Sequence, residues 1–384
     1  MALQEEERAF EGSSRRIAVF LQDLYGGGAE HVMLRLASGM AEQGRAVDLV
    51  LVRREGAFAG KVPPSVRIIE LGTRRTINSV LALGRYLRRE RPAVLMTALV
   101  HVNIAALLAR LTAPGTTRVV LTEHNQISMN IPPSPSATLR FAYRLVPLLY
   151  PRASRIIAVS DGVADDLSRF SGVERNRIDV VQNPVVTPEM AALADEPVDH
   201  PWFAPGEPPV ILGVGRLSDQ KDFATLLRAF ALVRSRRPAR LVILGEGGYR
   251  AELEQLVAQL GIGADVDLPG FAGNPFAYMS KASLFVLSSK FEGLPGALIE
   301  AMACGTPVVA TDCPSGPREI LEGGSLGGLV PVGDPESLAT AIGAALDQPT
   351  PPDRLRAKAA EYTIDRAVSR YLALLEQRHI PNSR

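Results

Sequence analysis

At 384 residues, with 46% hydrophobic and 22% charged side chains, the chain has the length of about two to three domains and the composition of an ordinary globular protein. The net charge is +1, and no apolar run reaches the roughly 18 residues that a spanning helix requires, which excludes a chain built on membrane-spanning helices. Two cysteines, Cys304 and Cys313, exclude a disulfide framework and fit a reducing cytoplasm. They flank a strand-like run with no base nearby, which assigns them to core packing.

The first 15 residues are acidic and polar. They carry no signal peptide and are expected to form a disordered leader. Residues 16–21 read as a strand, followed by the glycine loop Gly26-Gly27-Gly28 and a helix over 29–43. Strands follow at 46–52, 93–97, 118–121, 155–159 and 178–181, with helices at 77–90, 101–111 and 161–170. A segment rich in Pro and acid, 186–208, reads as a linker. The pattern then restarts, with strands at 210–214, 240–244, 266–268, 284–287 and 308–310 and helices at 222–234, 249–260 and 297–303. The tail is helical over 335–345 and 354–377. Alternating strands and helices predict two parallel α/β sheets, domains at 16–185 and 209–363, and a helix from 364 returning toward the first domain. A ligand is expected in the cleft beyond the carboxyl ends of both sets of strands.

Charge is unevenly spread. Between Lys61 and Arg155 fourteen basic residues face three acids (Glu70, Glu90 and Glu123), a local excess of +11. Such a face suits an anionic membrane surface or an acidic acceptor. The alternative is a chain that solvates its helices with arginine, since only five of its 42 basic residues are lysine. Residues 139–155 mix Arg with Phe, Tyr and Leu, as an interfacial segment would, with Pro147 and Pro151 expected to interrupt any long helix. No nucleic-acid module is present, so no nucleic-acid partner is expected.

Two segments carry chemistry. The stretch from Phe291 to Ala310 sets Glu292 and Glu300 either side of the turn Gly293-Leu294-Pro295-Gly296, which opens a helix at Ala297. Unpaired N–H groups at that helix start form a phosphate-ready site, and Glu300, about one turn in, can reach a polyol beside it. The stretch from Gly213 to Asp222 ends a strand in glycines, including Gly215, and flanks a tight loop with Arg216 and Lys221. A planar guanidinium and a mobile ammonium together suit a diphosphate. Asp265 and Asp267 spell D-x-D, but they lead into an apolar strand, and period-two alternation explains them better than metal binding.

These two segments resemble the nucleotide-sugar half of retaining glycosyltransferase family 4. Gly26-Gly27-Gly28-Ala29-Glu30-His31, Thr122-Glu123-His124-Asn125 and Val181-Gln182-Asn183-Pro184 resemble further stretches of that family. The resemblance implies a GT-B fold, two facing Rossmann-like domains with a deep cleft, the N-terminal one on the acceptor side. It implies that Arg216 and Lys221 grip the donor diphosphate, that Glu300 binds ribose, and that Glu292 contacts the transferred sugar. The amides of Leu294, Pro295's turn and Ala297 would hold sugar and phosphate. Gly27 and Gly28 would close on the diphosphate, and Gly270 and Phe271 would line the base. His101 is implied as a sugar contact, with His124, Asn125 and Asn103 as acceptor-side candidates.

The implied reaction is metal-independent, retaining hexosyl transfer with no cofactor, and retention is usually explained by front-face attack. The donor is expected to be a UDP-sugar, with a GDP-sugar as rival, and the acceptor a glycan or lipid-linked cell-envelope molecule. The location implied is cytoplasmic and peripheral at the inner membrane face. The alternatives are a non-catalytic nucleotide-sugar binding module and a GT-B enzyme of another reaction type.

Overall fold

The computed structural model describes residues 16–25, 27–56, 58–129, 131 and 136–377. The expected leader, Gly26 and most of the Pro-rich turn at 131–135 lie outside the described residues. The chain divides into two compact units, Met1–Pro184 with Ile364–Arg384, and Val185–Thr363.

The first unit runs β1 (Ile17–Leu21), α1 (Gly28–Glu42), β2 (Val47–Leu51), β3 (Val66–Glu70), α2 (Val80–Glu90), β4 (Val94–Ala98), α3 (Val100–Thr112), β5 (Arg118–Glu123), α4 (Ala137–Leu149), β6 (Arg155–Ala158), α5 (Asp161–Ser171) and β7 (Ile178–Val180). Its seven strands form a parallel sheet in the order β3-β2-β1-β4-β5-β6-β7. The apolar runs of β1, β2 and β4 are buried along their whole length, as strands covered on both faces must be. Strand β3 has no counterpart in the sequence reading. It is an edge strand in which only Val66 is buried, and its Arg67 reaches over to the fully buried Asp48 on β2. Arg16 and Tyr86 complete that buried carboxylate's shell.

Pro147 does not interrupt α4. The helix starts at Ser136, whose hydroxyl accepts from Leu139 N, and continues through Pro147 to Leu149. Pro147 is exposed, so its ring crowds no core side chain, and the helix continues for only two residues beyond it. Pro151 is the second residue of the following 3₁₀ turn, Tyr150–Arg152, where its fixed φ fits the first turn and no intrahelical donor is needed.

The second unit contains α6 (Glu189–Asp195), β8 (Val210–Val214), α7 (Phe223–Arg234), β9 (Arg240–Leu244), α8 (Arg250–Leu260), β10 (Val266–Gly270), α9 (Pro275–Lys281), β11 (Leu284–Leu287), α10 (Gly296–Cys304), β12 (Val308–Thr311), α11 (Pro317–Ile320), β13 (Gly328–Val330), α12 (Pro335–Asp347) and α13 (Pro352–Ala359). Its six strands are parallel in the order β10-β9-β8-β11-β12-β13.

The segment expected as a linker belongs to this unit. Helix α6 is tied to α9 by Asn274 Nδ2 donating to Leu193 O (2.8 Å) and Ser280 Oγ donating to Ala194 O (2.6 Å). Its Pro and acidic residues mark turns rather than freedom. The tail is not one helix over 354–377 either: α13 ends, a 3₁₀ turn Ala360–Tyr362 follows, and Ile364–Glu376 forms α14.

Helix α14 packs on α1 in the first unit. A Cβ at Gly39 would lie 2.7 Å from Val368 Cγ2, so the two helices approach as closely as glycine permits. Met33, Leu36, Met40, Val368 and Tyr371 share one core there. Burial pushes the thiols of half-buried Cys304 and buried Cys313 up to about 12, which suits packing rather than reactivity.

Candidate active site

In the second unit the strand order reverses between β8 and β11, so the loops leaving these adjacent strands diverge and open a crevice at their carboxyl ends. The two chemistry-bearing segments are those two loops. Lys221, after β8, and Glu292, after β11, are 71 residues apart in sequence, yet Lys221 Nζ donates to Glu292 Oε1 at 2.6 Å. Ser289 Oγ donates to the same oxygen at 2.6 Å. The sequence reading gave Lys221 and Glu292 separate partners, whereas here they are each other's. The loops are stitched together by Ser288 Oγ to Lys221 O (2.8 Å), Lys290 N to Gln220 O (2.8 Å) and Gln220 Nε2 to Phe291 O (3.0 Å). Arg216 stands exposed on the same loop; its carbonyl accepts from Ser218 Oγ, while its guanidinium makes no hydrogen bond or ion pair with a described residue.

Glycines let the backbones close up. Gly215 leaves room for the Lys221 stem, because a Cβ there would lie 3.1 Å from Lys221 Cε. At Gly245 (φ 144°) a Cβ would meet Gly215 O at 1.9 Å, so the loop after β9 lies directly on the cation loop. The sequence reading passed over this Gly245-Glu246-Gly247-Gly248 cluster, although a glycine run straight after a strand was the available signal. Asp222 holds a left-handed φ of 45°, stabilised by its own carboxylate accepting from Thr225 N and Oγ1, and it caps α7.

Gly293, Leu294 and Pro295 are buried in the turn, and Gly296 and Ala297 are half-buried at the start of α10, with Pro295 at the N-cap. Ser315 Oγ donates to Gly293 O at 2.8 Å and props the turn from below. Leu298 N and Ile299 N of α10 turn back to Pro295 O, which leaves the N–H groups of Gly296 and Ala297 at the helix start, and the helix dipole adds partial positive charge there. Glu300 lies half-buried one turn further along α10. Gly270 ends β10, and Phe271 after it is 84% exposed, an apolar ring with no core role. Asp265 is engaged by Arg234 Nε (2.7 Å) and by Arg240, and Asp267 accepts from His200 Nε2 (2.9 Å). Both carboxylates of the D-x-D are thus held by cations or imidazole.

In the first unit the strand order reverses between β1 and β4. His101, in the first turn of α3 just after β4, meets Gln22 from the end of β1: His101 Nε2 and Gln22 Oε1 are 3.0 Å apart. Gln22 Nε2 faces the Asp23 carboxylate, which only accepts, so Gln22 Oε1 must face His101 and the imidazole carries its proton on Nε2. Burial lowers the His101 pKa, with Asp23 opposing, so the neutral ring presents Nδ1 as an acceptor. Leu99 adopts φ 76° at the N-cap of α3, a strained conformation for a branched residue.

Leu99, His101, Glu123, His124, Asn125, Ile127, Leu139 and Tyr143 surround a cavity of about 290 Å³. His124 donates from Nε2 to Thr122 Oγ1 (3.0 Å), whose own proton goes to Thr97 O. Burial drives the His124 pKa down to about 4, so this ring is neutral. Asn125 is half-buried at the cavity wall. Asn103 is not an acceptor-side group in its own right. It is fully buried and its amide is spent on Glu123 Oε1 (2.8 Å) and Tyr150 OH (3.1 Å). Glu123, which the sequence reading placed in the stretch Thr122-Glu123-His124-Asn125 and gave no role, is the carboxyl that lines the cavity. Gly27 caps α1 with Glu30 folded back against it, and Gly28 opens the helix with free space around it.

Residues 196–365 match the family described as "Glycosyl transferases group 1", and residues 26–188 match "Glycosyltransferase Family 4". The chain is 34% identical over 254 residues to the N-acetylgalactosamine-N,N'-diacetylbacillosaminyl-diphospho-undecaprenol 4-alpha-N-acetylgalactosaminyltransferase of Campylobacter jejuni, covering 66% of each. It is 30% identical over 206 residues to the lipopolysaccharide core biosynthesis glycosyltransferase LpsE of Rhizobium meliloti, covering 54% of this chain and 56% of that one. The matched stretches thus span about two thirds and just over half of these relatives' lengths. Among solved structures, the lipopolysaccharide outer core galactosyltransferase WaaB superposes with a TM-score of 0.73 at 20% identity, covering 93% of this chain and 98% of that one. Anabaena HepE in complex with UDP gives 0.73 at 20% identity, covering 94% and 99%. The chain belongs to glycosyltransferase family 4, on the two-domain α/β GT-B fold.

Proposed function

We propose that this protein is a retaining, metal-independent transferase that moves a sugar from a UDP-sugar to a lipid-linked cell-envelope acceptor. The observation that carries the reading is the meeting of Arg216, Lys221, Glu292 and the N-terminus of α10 at the β8/β11 crevice. Breaking the anomeric C–O bond puts negative charge on the departing diphosphate and positive charge on the sugar ring. Arg216, Lys221 and the α10 amides stabilise the first, and the Glu292 carboxylate can stabilise the second. These cations take the part a metal plays in other transferases, and both D-x-D carboxylates already have partners. Glu300 binds ribose and Phe271 covers the base in this reading.

The acceptor assignment draws on the names of the two relatives, one acting on a diphospho-undecaprenol-linked glycan and one in lipopolysaccharide core synthesis. The reading places the protein in the cytoplasm, peripheral at the inner membrane face, and a mixed apolar and basic face of α4 supports the membrane part. Phe141 (56% exposed) and Leu148 (59% exposed) share a face of this helix with exposed Arg140 and Arg144. Among the described residues no helix is long and apolar enough to cross a membrane.

The experiment is transfer from a panel of UDP-hexoses, UDP-N-acetylhexosamines and GDP-mannose to diphosphoundecaprenol-linked monosaccharides, with the product anomer read by NMR and EDTA in a parallel reaction. Transfer from GDP-mannose alone, an inverted anomer, or complete loss in EDTA would each overturn the corresponding part. Flotation with anionic liposomes at low salt tests the membrane position, and no binding would remove it.

A further inference from the structure

The carboxyl of Glu123 has an arrangement that packing does not explain. It is fully buried at the end of β5, with no cation among its partners. Two donors converge on one of its oxygens: Asn103 Nδ2 (2.8 Å) and Tyr150 OH both point at Oε1. Asn103 is itself fixed by Thr97 Oγ1 donating to its Oδ1. The other oxygen, Oε2, has no hydrogen-bond partner among the described residues, and Glu123 is part of the cavity wall. A buried carboxyl carries a heavy desolvation cost, and a purely structural position would be served as well by glutamine or an apolar side chain. Here β4, α3 and the turn after α4 each contribute one polar group to aim a single oxygen into open space.

The cavity around it has the make-up of a sugar subsite. Leu99, Ile127, Leu139 and the Tyr143 ring supply an apolar surface for the C–H face of a pyranose, while Asn125, His124 and His101 supply polar groups at the rim. At about 290 Å³ it lies at the small end of ligand sites, with room for one monosaccharide.

We infer that Glu123 Oε2 is a hydrogen-bonding contact for a hydroxyl of a sugar bound in the first unit, and so a specificity-determining residue of the transfer. The inference rests on the proposed function and goes beyond it by assigning a residue and a chemistry to the first unit's cavity. Because both donors sit on Oε1, the carboxyl proton resides on Oε2 when present. The group therefore donates to the sugar when protonated and accepts from it when ionised. Burial pushes the Glu123 pKa up to about 7, against the hydrogen bonds from Tyr150 and Asn103, with Asp166 on α5 raising it further. Tyr143 on α4, Tyr150, His124 and His101 are the other titratable groups around it. Tyr143 and Tyr150 have raised pKa values and both imidazoles lowered ones, so near neutral pH the four are uncharged.

The sugar could be the donor's or the acceptor's, and kinetics of E123Q distinguish them. Glutamine keeps an acceptor for Tyr150 and Asn103 but presents only N–H to the cavity. At pH 8, where Glu123 is ionised and accepts, and with secondary structure and Tm retained, E123Q should raise the KM of one substrate about tenfold or more and leave the other within about twofold. A raised donor KM with altered donor hydrolysis places the donor sugar there, and a raised acceptor KM places the acceptor sugar there. Wild-type KM for that substrate should change with pH through about 7, and that change should vanish in E123Q. Y150F, which frees one anchor of Oε1, should give a smaller KM effect on the same substrate. If wild type transfers and folded E123Q leaves both KM values within about twofold, Glu123 is structural and the inference falls alone. If wild type transfers from no nucleotide sugar in the panel, the proposed function falls and takes the inference with it.

Discussion

Replacing Lys221 by methionine separates what the ammonium does for the fold from what it does for the reaction. Its partner Glu292 is 7% exposed in its side chain, and Lys221 19%. Breaking a fully buried pair costs about 3–5 kcal/mol because a charge is left behind. Lys221 retains some solvent and Glu292 keeps its bond from Ser289, so K221M should cost about 2–3 kcal/mol of the second unit's stability. In the double variant K221M/E292Q no charge is stranded and Ser289 still has an acceptor, so stability should return to within about 1 kcal/mol of wild type. The chain's single tryptophan, Trp202, lies in the second unit, so urea titration followed by its fluorescence reads the right unit. Transfer should not follow stability. A missing preorganised cation at the leaving group costs about 2.7–4 kcal/mol of barrier, a loss of about 10²–10³ in kcat in the single variant and at least as much in the double, which also lacks the Glu292 carboxylate. Recovery of kcat to within about tenfold in the double variant would refute the assignment and leave Lys221 a structural residue.

Arg216 offers the complementary case. It is exposed and unpaired among the described residues, so R216A should leave stability within about 0.5 kcal/mol while lowering kcat about 10²-fold or more, read by the same titration and transfer assay. Glu123 makes stability depend on pH with a definite sign. Its folded pKa, raised to about 7 from 4.5, means the folded state holds the proton more tightly than the unfolded chain. Its stabilising contribution is therefore complete below about pH 4.5, declines as pH rises, and is gone above about 7. The span of about 2.5 units corresponds to about 3 kcal/mol, so the difference in stability between E123Q and wild type should grow by that amount from pH 4.5 to 8, measured by urea titration with far-UV circular dichroism. Parallel pH profiles would contradict the burial argument. Tyr371 is fully buried with a hydroxyl that finds no partner among the described residues, so Y371F should be neutral or stabilising by about 1 kcal/mol in a thermal or urea melt, and a loss above about 1 kcal/mol would show that the hydroxyl is bonded after all.

Most of the sheet architecture was legible because buried parallel strands read as continuous apolar runs, and β1, β4, β8 and β11 do so. What escaped was the edge and the joints. Strand β3 is half-exposed and reads Val-Arg-Ile-Ile-Glu, with its arginine drawn to a partner on β2 that no local pattern reveals. Proline signalled a break in α4, and the helix does end two residues after Pro147, so the local rule misplaced the end by a fraction of a turn. The Pro- and acid-rich stretch before β8 looked like a linker because its contacts, Asn274 and Ser280 on α9, lie some eighty residues downstream. Likewise, the cations and carboxylates of the second unit were recognisable as types in their loops, whereas the Lys221–Glu292 pair depends on β8 and β11 being neighbours.

That pair also bears on how the site works. An unpaired lysine on a loop samples many rotamers, and binding a diphosphate would then require ordering it. Held at 2.6 Å by a buried carboxylate and threaded past Gly215, Lys221 is already in place, so less ordering is left to binding. The same logic applies to Glu123 in the first unit, where two hydrogen bonds fix one oxygen so that the other is aimed before any sugar arrives. In both units a carboxyl, Glu123 at the end of β5 and Glu292 in the loop after β11, takes its side-chain hydrogen bonds on one oxygen, Oε1, so an isosteric amide keeps that anchor while changing what the second oxygen's position can offer a ligand.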